Sequence, residues 1–264
     1  MKLGFIGTGN MASAMIGGIL KNQILSAEEV IGSNRGAQKR ESVKEQFGIY
    51  VTENNKEVAE KADIIVLSVK PQFYEEVIYE IRDVLRADQI VITIAPGKTL
   101  AWLAEKFGKD VKIVRTMPNT PALVGAGMTA MCPNEHMSEE ETAYVRSLLE
   151  SFGRVEVVAE RLMDVVVSTS GSSPAYIFMM IEAMADAAVS GGMPRTQAYQ
   201  FAAQAVLGSA KMVLETGKHP GELKDMVCSP GGTTIEAVRT LEEYGFRSAV
   251  IEAMKVCEEK AKQL

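Results

Sequence analysis

The sequence is poor in the residues that build disulfide frameworks and metal sites. Its 264 residues include only three cysteines and two histidines. The cysteines, Cys132, Cys228 and Cys257, are odd in number, far apart and outside any C-x-x-C pair. Neither a disulfide framework nor a zinc site is therefore predicted. We expect no metal and a reducing, cytoplasmic setting.

Long apolar runs and an excess of positive charge are also lacking. A membrane-spanning helix needs about 18 or more apolar residues without interruption. The richest stretch, 173–191, contains Pro174, Glu182 and Asp186. With 34 acidic and 28 basic residues the net charge is -6, which argues against nucleic acid or an anionic membrane surface as the principal partner. A small molecule is the favoured ligand.

What the sequence does contain is two halves with different patterns. From residue 1 to about 160, short β-branched runs such as "KLGFIG", "ADIIVLSV" and "QIVITIA" alternate with segments of helical apolar spacing. This alternation predicts parallel strands joined by right-handed crossovers. After about residue 160 the short β-branched runs largely stop, and the apolar spacing becomes helical. We predict an α/β fold, with a Rossmann-type doubly wound sheet at 1–160 followed by an all-helical domain at 161–264.

The first predicted strand runs directly into a glycine-rich turn. Residues 7–12, "GTGNMA", form a G-x-G-x-x-A motif between a strand and a helix. In this motif Gly7 permits the tight turn, Gly9 lets the backbone approach a pyrophosphate, and Ala12 stands where close helix packing requires a small residue. The motif alone is a weak signal. Its place at the start of the expected sheet predicts dinucleotide binding.

The end of the second predicted strand indicates which dinucleotide binds. Enzymes that use NAD usually place Asp or Glu there, against the ribose 2'-hydroxyl. This sequence has Ser33, Asn34 and Arg35 instead. Hydroxyl, amide and guanidinium groups can donate to a 2'-phosphate, which a carboxylate would repel. We predict NADP, with NADPH preferred and NADH an alternative. The competing interpretation is that Arg35 is a solvated loop residue.

Further cofactor contacts are expected after the later strands, because ligands of open α/β sheets collect at the carboxyl ends of the strands. The loops concerned are "VKP" at 69–71, "APG" at 95–97 and "MPNTP" at 117–121, although proline and glycine are also ordinary loop residues. The predicted cofactor-binding residues are Ile6, Gly7, Gly9, Asn10, Met11, Ser33, Asn34, Arg35, Asn55, Val69, Lys70, Pro71, Ala95, Gly97, Met117, Pro118 and Asn119.

The helical half lacks an evident general acid or base. A hydroxy-acid dehydrogenase commonly uses His or Lys for the alcohol proton. Residues 165–193 contain no Lys, Arg or His, and His136 and His219 lie in surface-like stretches. An imine substrate removes this requirement, because a C=N group can be protonated before hydride arrives. Catalysis would then depend mostly on proximity and alignment.

Near the end of the chain, "CSPGGTTIEAV" at 228–238 places two glycines just before a helical pattern. The first amides of a helix have no intrahelical partner and lie at the positive end of its dipole, so they can bind an anion. A plain turn with a threonine N-cap is the alternative interpretation.

Together these motifs resemble the pyrroline-5-carboxylate reductase family over essentially the whole chain. The resemblance is carried by "GFIGTGNMA" at the start, "SVKPQ" at 68–72, "MPNTPALVGAG" at 117–127, "SGSSPAY" at 170–176 and, above all, "SPGGTT" at 229–234. It implies an NAD(P)H-dependent oxidoreductase that reduces the C=N bond of L-1-pyrroline-5-carboxylate to L-proline, the last step of proline biosynthesis.

The resemblance also implies the substrate site. The turn formed by Ser229, Gly231, Gly232 and Thr233 matches the family's cradle for the substrate carboxylate. Its donors would be the Ser229 hydroxyl and the backbone amides near Gly232 and Thr233. Thr234 matches the residue that faces the ring nitrogen, which makes it the predicted catalytic residue.

The helical pattern at 174–190 also bears on assembly. This segment is apolar nearly all round, and a helix of that kind must be covered on every side. A domain of about 100 residues offers few neighbours, so we predict a homodimer at least. A central helix inside a monomeric bundle is the alternative. The resemblance adds a larger ring of dimers as a further assembly.

Two other functions compete with imine reduction. A hydroxy-acid dehydrogenase of the same two-domain plan would need the basic residue that 165–193 lacks. A non-catalytic NADP sensor or scaffold would bind the cofactor without turnover.

Overall fold

The computed structural model describes residues 1–263, which divide into two compact units. The first unit comprises Met1–Ser172 together with the C-terminal segment that begins at Cys257, and the second comprises Ser173–Val256. The predicted domain ranges, 1–160 and 161–264, stay predictions. None of the helices in the described residues is long and apolar enough to span a membrane.

An eight-stranded sheet forms the centre of the first unit. Its strands are β1 (Leu3–Ile6), β2 (Val30–Ser33), β3 (Tyr50–Thr52), β4 (Ile64–Leu67), β5 (Ile90–Thr93), β6 (Lys112–Met117), β7 (Gly127–Pro133) and β8 (Gly153–Val157). Their order is β3-β2-β1-β4-β5-β6-β7-β8, and every pairing is parallel except that of β6 with β7. The predicted doubly wound α/β sheet is confirmed.

Helices cover both faces of this sheet. The first unit contains α1 (Asn10–Lys21), α2 (Ala37–Phe47), α3 (Asn55–Lys61), α4 (Tyr74–Ile81), α5 (Leu100–Phe107), α6 (Glu139–Glu150) and α7 (Met163–Val166). Phe5 packs in a core cluster with residues of α1 and α6, whereas its neighbour Ile6 packs in a second cluster with residues of α3, α4 and α5. The strands are therefore buried on both sides, as their continuous apolar runs predict.

The second unit is helical, as predicted. It contains α8 (Ser173–Ser190), α9 (Arg195–Thr216), α10 (Pro220–Val227), α11 (Thr233–Glu243) and most of α12 (Phe246–Ala261). Its buried apolar residues are three alanines and Leu223, whereas Phe178, Met179 and Phe201 are 62%, 69% and 67% exposed. The unit therefore leaves much of its apolar surface uncovered in the single chain.

Tyr74 fixes the carboxyl ends of two central strands. It lies in the first turn of α4 and is fully buried. Its hydroxyl donates to the Leu67 carbonyl at the end of β4 and accepts from the Ile94 N–H just after β5, at 3.2 Å. Burial raises the pKa of this phenol well above its ordinary value, so the hydroxyl stays protonated. Both strand ends are thus held in place beside the crevice described below.

Replacing Tyr74 by Phe should destabilise the protein, because the buried Leu67 carbonyl and Ile94 N–H lose their partner. We expect a loss of about 1–3 kcal/mol in the free energy of unfolding, measured by urea denaturation. Tyr79→Phe is the matched control, since the Tyr79 hydroxyl is on the surface and donates to Glu75 at 3.0 Å. Equal unfolding midpoints for the two variants would contradict this role of Tyr74.

Candidate cofactor and substrate sites

A cavity of about 690 Å³ lies at the carboxyl ends of the central strands. It is lined by the turn after β1, the end of β2, the loops after β4 and β5, and Thr120 and Leu123. The strand order reverses between β1 and β4, and ligands of open α/β sheets bind at such a switch point. The position of the cavity is therefore that of a dinucleotide site.

The turn between β1 and α1 gives the cavity its backbone surface. Gly7 has a φ of +93°, and a Cβ atom there would lie 2.9 Å from the backbone of Ser68. A Cβ atom on Gly9 would instead meet nothing within 4 Å, so the space in front of it is open. Gly9 is the N-cap of α1, and the helix has no side-chain cap and no acidic residue in its first turn. The unpaired amides of α1 thus suit a pyrophosphate.

The three residues at the end of β2 have different roles in the structure. The fully buried Ser33 hydroxyl donates to Asn55 Oδ1 at 2.7 Å, so its proton does not point to a ligand. The Asn34 amide donates to Thr8 Oγ1 at 3.1 Å, and its oxygen accepts from the Gly36 N–H at 3.0 Å. The Ser33 hydroxyl thus donates within the chain, and the prediction that Ser33 contacts the cofactor stays a prediction. Ser33 and Asn34 shape the turn and leave Arg35 as its charged donor.

Arg35 lies on the wall of the cavity. Its guanidinium donates to the Glu76 carboxylate and stands 5.7 Å from the centroid of the Phe73 ring. Both Arg35 and Phe73 line the cavity. The Arg35 side chain is 63% exposed, so its predicted role as a donor to the 2'-phosphate stays a prediction beside the competing interpretation of a solvated loop residue.

Most of the predicted cofactor residues line this cavity. They are Gly7, Gly9, Asn10, Met11, Ser33, Asn34, Arg35, Asn55, Val69, Lys70, Pro71 and Ala95. Ile6, Gly97, Met117, Pro118 and Asn119 are not among the lining residues. Asn119 instead donates to the Ser170 carbonyl at 2.9 Å and accepts from the Met128 N–H at 2.8 Å, which fixes the loop after β6.

Sequence reasoning missed several lining residues, among them Thr8, Phe73 and Thr120. Thr8 lies inside the recognised glycine motif, and Thr120 lies inside the recognised loop at 117–121. The positions of Thr8 and Thr120 within these motifs could therefore have identified both as residues of the cofactor site. Phe73 follows "VKPQ" as an ordinary apolar residue before a helix, and no sequence signal distinguishes it.

The predicted substrate turn lies in the second unit, immediately before α11. Gly231 has a φ of +67°, and a Cβ atom on Gly232 would lie 2.3 Å from Ser229 Oγ. The Gly232 N–H donates to the Ser229 carbonyl at 3.1 Å, so this amide closes the turn and is not free for a ligand. The free donors are instead the first amides of α11, which starts at Thr233.

The N-cap of α11 is Gly232, and no side chain caps the helix. The threonine N-cap of the alternative interpretation is therefore wrong, and the anion-binding role of the turn stays a prediction. Ser229 and Thr233 are exposed, and Thr234 is half-buried. The arrangement presents helix amides and hydroxyl groups and suits a carboxylate.

Neither histidine is placed for catalysis. The His219 Nδ1 atom accepts from the Gly221 N–H at 3.0 Å and thereby caps α10. His136 lies 3.7 Å from Asp110 and 3.9 Å from Glu135 on the surface. In residues 1–263 no group of three or more His, Cys, Asp or Glu side chains could hold a metal ion.

Known families match both parts of the chain. Residues 2–97 match the family described as "NADP oxidoreductase coenzyme F420-dependent", and residues 160–264 match "Pyrroline-5-carboxylate reductase dimerisation". The fold and the cavity thus define an NAD(P)-dependent oxidoreductase with a Rossmann sheet and a helical dimerisation domain. The dimerisation match indicates an oligomer.

Relatives of known name identify the family more closely. The chain is 57% identical over 263 residues to the pyrroline-5-carboxylate reductase of Escherichia coli K12, covering 100% of this chain and 98% of that protein. The solved structure of a pyrroline-5-carboxylate reductase from Coxiella burnetii matches with a TM-score of 0.91 and 35% identity. The match covers 99% of this chain and 97% of that chain. The chain belongs to the pyrroline-5-carboxylate reductase family, as its motifs predicted.

A further solved structure bears on the cofactor. The Plasmodium falciparum pyrroline carboxylate reductase, solved with NADP bound, matches with a TM-score of 0.91 and 33% identity over 100% of this chain and 97% of that one. The predicted family and enzyme class are confirmed.

Replacing Gly9 by Ala should separate cofactor binding from folding. The added methyl meets no atom of this chain but projects into the space in front of α1. We expect the dissociation constant for NADPH to rise by about tenfold or more, equivalent to at least about 1.4 kcal/mol. The loss of stability should stay below about 1 kcal/mol. Calorimetric titration and thermal unfolding measure the two effects, and unchanged NADPH affinity would contradict the assignment of Gly9.

Proposed function

We propose that this chain transfers hydride from NADPH to the C=N carbon of L-1-pyrroline-5-carboxylate and thereby forms L-proline. The observation that carries the proposal is the turn before α11, which offers uncapped helix amides and hydroxyl groups but no general base. Such a site suits a cyclic imino acid, because its carboxylate needs donors and its imine nitrogen takes a proton from water.

The residues of the cavity would hold the cofactor. The amides at the start of α1 would bind the pyrophosphate, with Gly9 giving the close approach. Arg35 would bind the 2'-phosphate, which is the basis for a preference for NADPH over NADH. When bound, the cofactor supplies the hydride.

The residues of the substrate turn would bind and orient the imino acid. The amides of Thr233 and Thr234 and the Ser229 hydroxyl would hold the carboxylate. A side chain at Gly231 or Gly232 would disturb the shape of the turn. Gly231 has a positive φ, and Ser229 approaches Gly232 closely. The Thr234 hydroxyl would orient the ring nitrogen.

The proposal is tested by following NADPH oxidation by absorbance, with and without racemic pyrroline-5-carboxylate and with NADH in parallel. Substrate-dependent oxidation that yields L-proline supports it. NADPH binding without turnover on this substrate would contradict the proposal. In that case another cyclic imine would be tested as the substrate first, and a non-catalytic NADP sensor would be considered second.

Replacing Thr234 by Val should slow turnover without abolishing it, because the hydroxyl orients the substrate and performs no difficult proton transfer. We expect kcat to fall by about 10- to 100-fold, whereas general acid catalysis contributes about 10² to 10⁴. Thr234→Ser is the matched control, since it keeps the hydroxyl and should retain most activity. A loss of more than about 10⁴ in the valine variant would identify Thr234 as an essential proton donor.

We further propose a homodimer at least, with α8 in the interface. Phe178 and Met179 of this helix are 62% and 69% exposed, and neighbouring Tyr199 of α9 is 41% exposed. Isolated helical units rarely leave such a surface in water.

Sedimentation at micromolar concentration should give a mass at least twice that of the chain, and Phe178→Glu should lower it. A monomeric wild-type protein would contradict this assembly, and a higher multiple would support a ring of dimers.

A cytoplasmic setting is part of the proposal. Cys132, Cys228 and Cys257 are all free thiols in the structure. Burial raises the pKa of Cys132, so this thiol stays protonated and unreactive.

A further inference from the structure

A carboxylate stands beside the proposed 2'-phosphate site. Glu76 lies in the first turn of α4 and accepts a hydrogen bond from Nη2 of Arg35. Arg35 lines the cavity, and so does Val77, the residue that follows Glu76. The side chains of Arg35 and Glu76 are 63% and 58% exposed. A ligand that reaches the Arg35 guanidinium from the cavity would therefore approach Glu76 as well.

The neighbouring cation, Arg40, is bonded to groups other than Glu76. Arg40 donates to the carbonyl oxygens of Asn34 and Arg35, at 2.7 Å and 3.0 Å, and to Glu53 at 3.3 Å. Neither Arg40 nor Glu76 is among the residues that line the cavity, but Glu76 is bonded to Arg35, which does line it. A group on the ribose 2' position that reaches Arg35 at the end of β2 would therefore meet the Arg35–Glu76 pair.

The two charges of this pair favour different cofactors. A 2'-phosphate carries up to two negative charges, which Arg35 attracts and Glu76 repels. A ribose 2'-hydroxyl can instead donate to a carboxylate, which is the contact that NAD enzymes make with an acidic residue after β2. In this chain the position after β2 holds no acid. Glu76 of α4 instead brings a carboxylate into contact with Arg35, two residues after the end of β2.

We propose that Glu76 is a specificity-determining residue that limits the preference of the site for NADPH over NADH. The inference rests on the proposed binding of the 2'-phosphate by Arg35. Glu76 weakens the binding of a 2'-phosphate by repulsion and offers an acceptor to an unphosphorylated ribose. The opposite role, in which Glu76 strengthens phosphate binding by orienting Arg35, is the weaker one physically, because exposed ion pairs restrain their side chains little.

The test uses two small probes that differ only in the 2'-phosphate, namely 2',5'-ADP and 5'-AMP. Their dissociation constants are measured by calorimetry on the full chain, for the wild type and for Glu76→Gln. We expect the variant to bind 2',5'-ADP about three- to tenfold more tightly at low salt, with the gain shrinking as ionic strength rises. Binding of 5'-AMP should stay the same or weaken. The ratio of kcat/KM for NADPH to that for NADH should rise with the 2',5'-ADP affinity.

Glu75→Gln is the matched control. Glu75 belongs to the same helical turn, but its carboxylate accepts from Lys106 Nζ at 2.9 Å and from the Tyr79 hydroxyl at 3.0 Å. The control removes the same charge one residue away and should change 2',5'-ADP affinity by less than about twofold, because its charge is paired and screened. A gain equal to that of Glu76→Gln would overturn the inference, since it would reflect net charge alone.

The remaining outcomes separate this inference from the proposed function. If the wild type prefers 2',5'-ADP to 5'-AMP and Glu76→Gln leaves that preference unchanged or lowers it, Glu76 does not limit the preference. If the wild type does not distinguish the two probes, the assignment of Arg35 fails and the inference fails with it. Arg35→Ala shows how large the contribution of the guanidinium is, since it should remove the preference for 2',5'-ADP.

Discussion

The close approach of the Gly7 turn to the backbone of Ser68 is the constraint on which the cofactor site depends. Only a glycine fits at this point, because its φ is +93° and a Cβ atom would lie 2.9 Å from the Ser68 carbonyl. The Ser68 hydroxyl also donates to the Gly7 carbonyl at 2.6 Å. These contacts join the ends of β1 and β4 at the point where strand order reverses. The start of α1 is thereby fixed over the cavity.

The two proposed anion sites share one local feature, a helix N-terminus without a side-chain cap. Both α1 and α11 begin after a glycine N-cap without a side-chain hydrogen bond. Elsewhere in the first unit, α3, α5 and α6 are closed by the side chains of Asn54, Thr99 and Ser138. A capping side chain occupies an amide that an external anion could otherwise take. The glycines keep those amides available where a phosphate or a carboxylate is expected, although α2 also begins after a glycine, Gly36, without a side-chain cap.

The sequence predicted the sheet and the glycine turns well, because both follow from local rules. Strand periodicity and the handedness of crossovers limit the order of the strands, and the spacing of Gly7 and Gly9 fixes one turn. The pairing of Arg35 with Glu76 was not predictable, since 41 positions separate the two residues along the chain. The use of the Ser33 proton by Asn55 depends in the same way on tertiary structure. The residue types in the sequence indicated which side chains could donate hydrogen bonds, whereas the partners of these donors depended on the fold.

The distribution of polar groups also explains why the chain can do without a general base. His219 is used to cap α10, and the free groups of the substrate turn are amides and hydroxyls. These groups bind charge and fix orientation, but they do not change their protonation state near neutral pH. A reaction that they can support is one in which the acceptor already carries its proton. Hydride transfer to a protonated imine meets this condition, and reduction of a ketone to an alcohol does not. The chemistry of the site therefore supports the proposed C=N substrate class on grounds separate from the family's name.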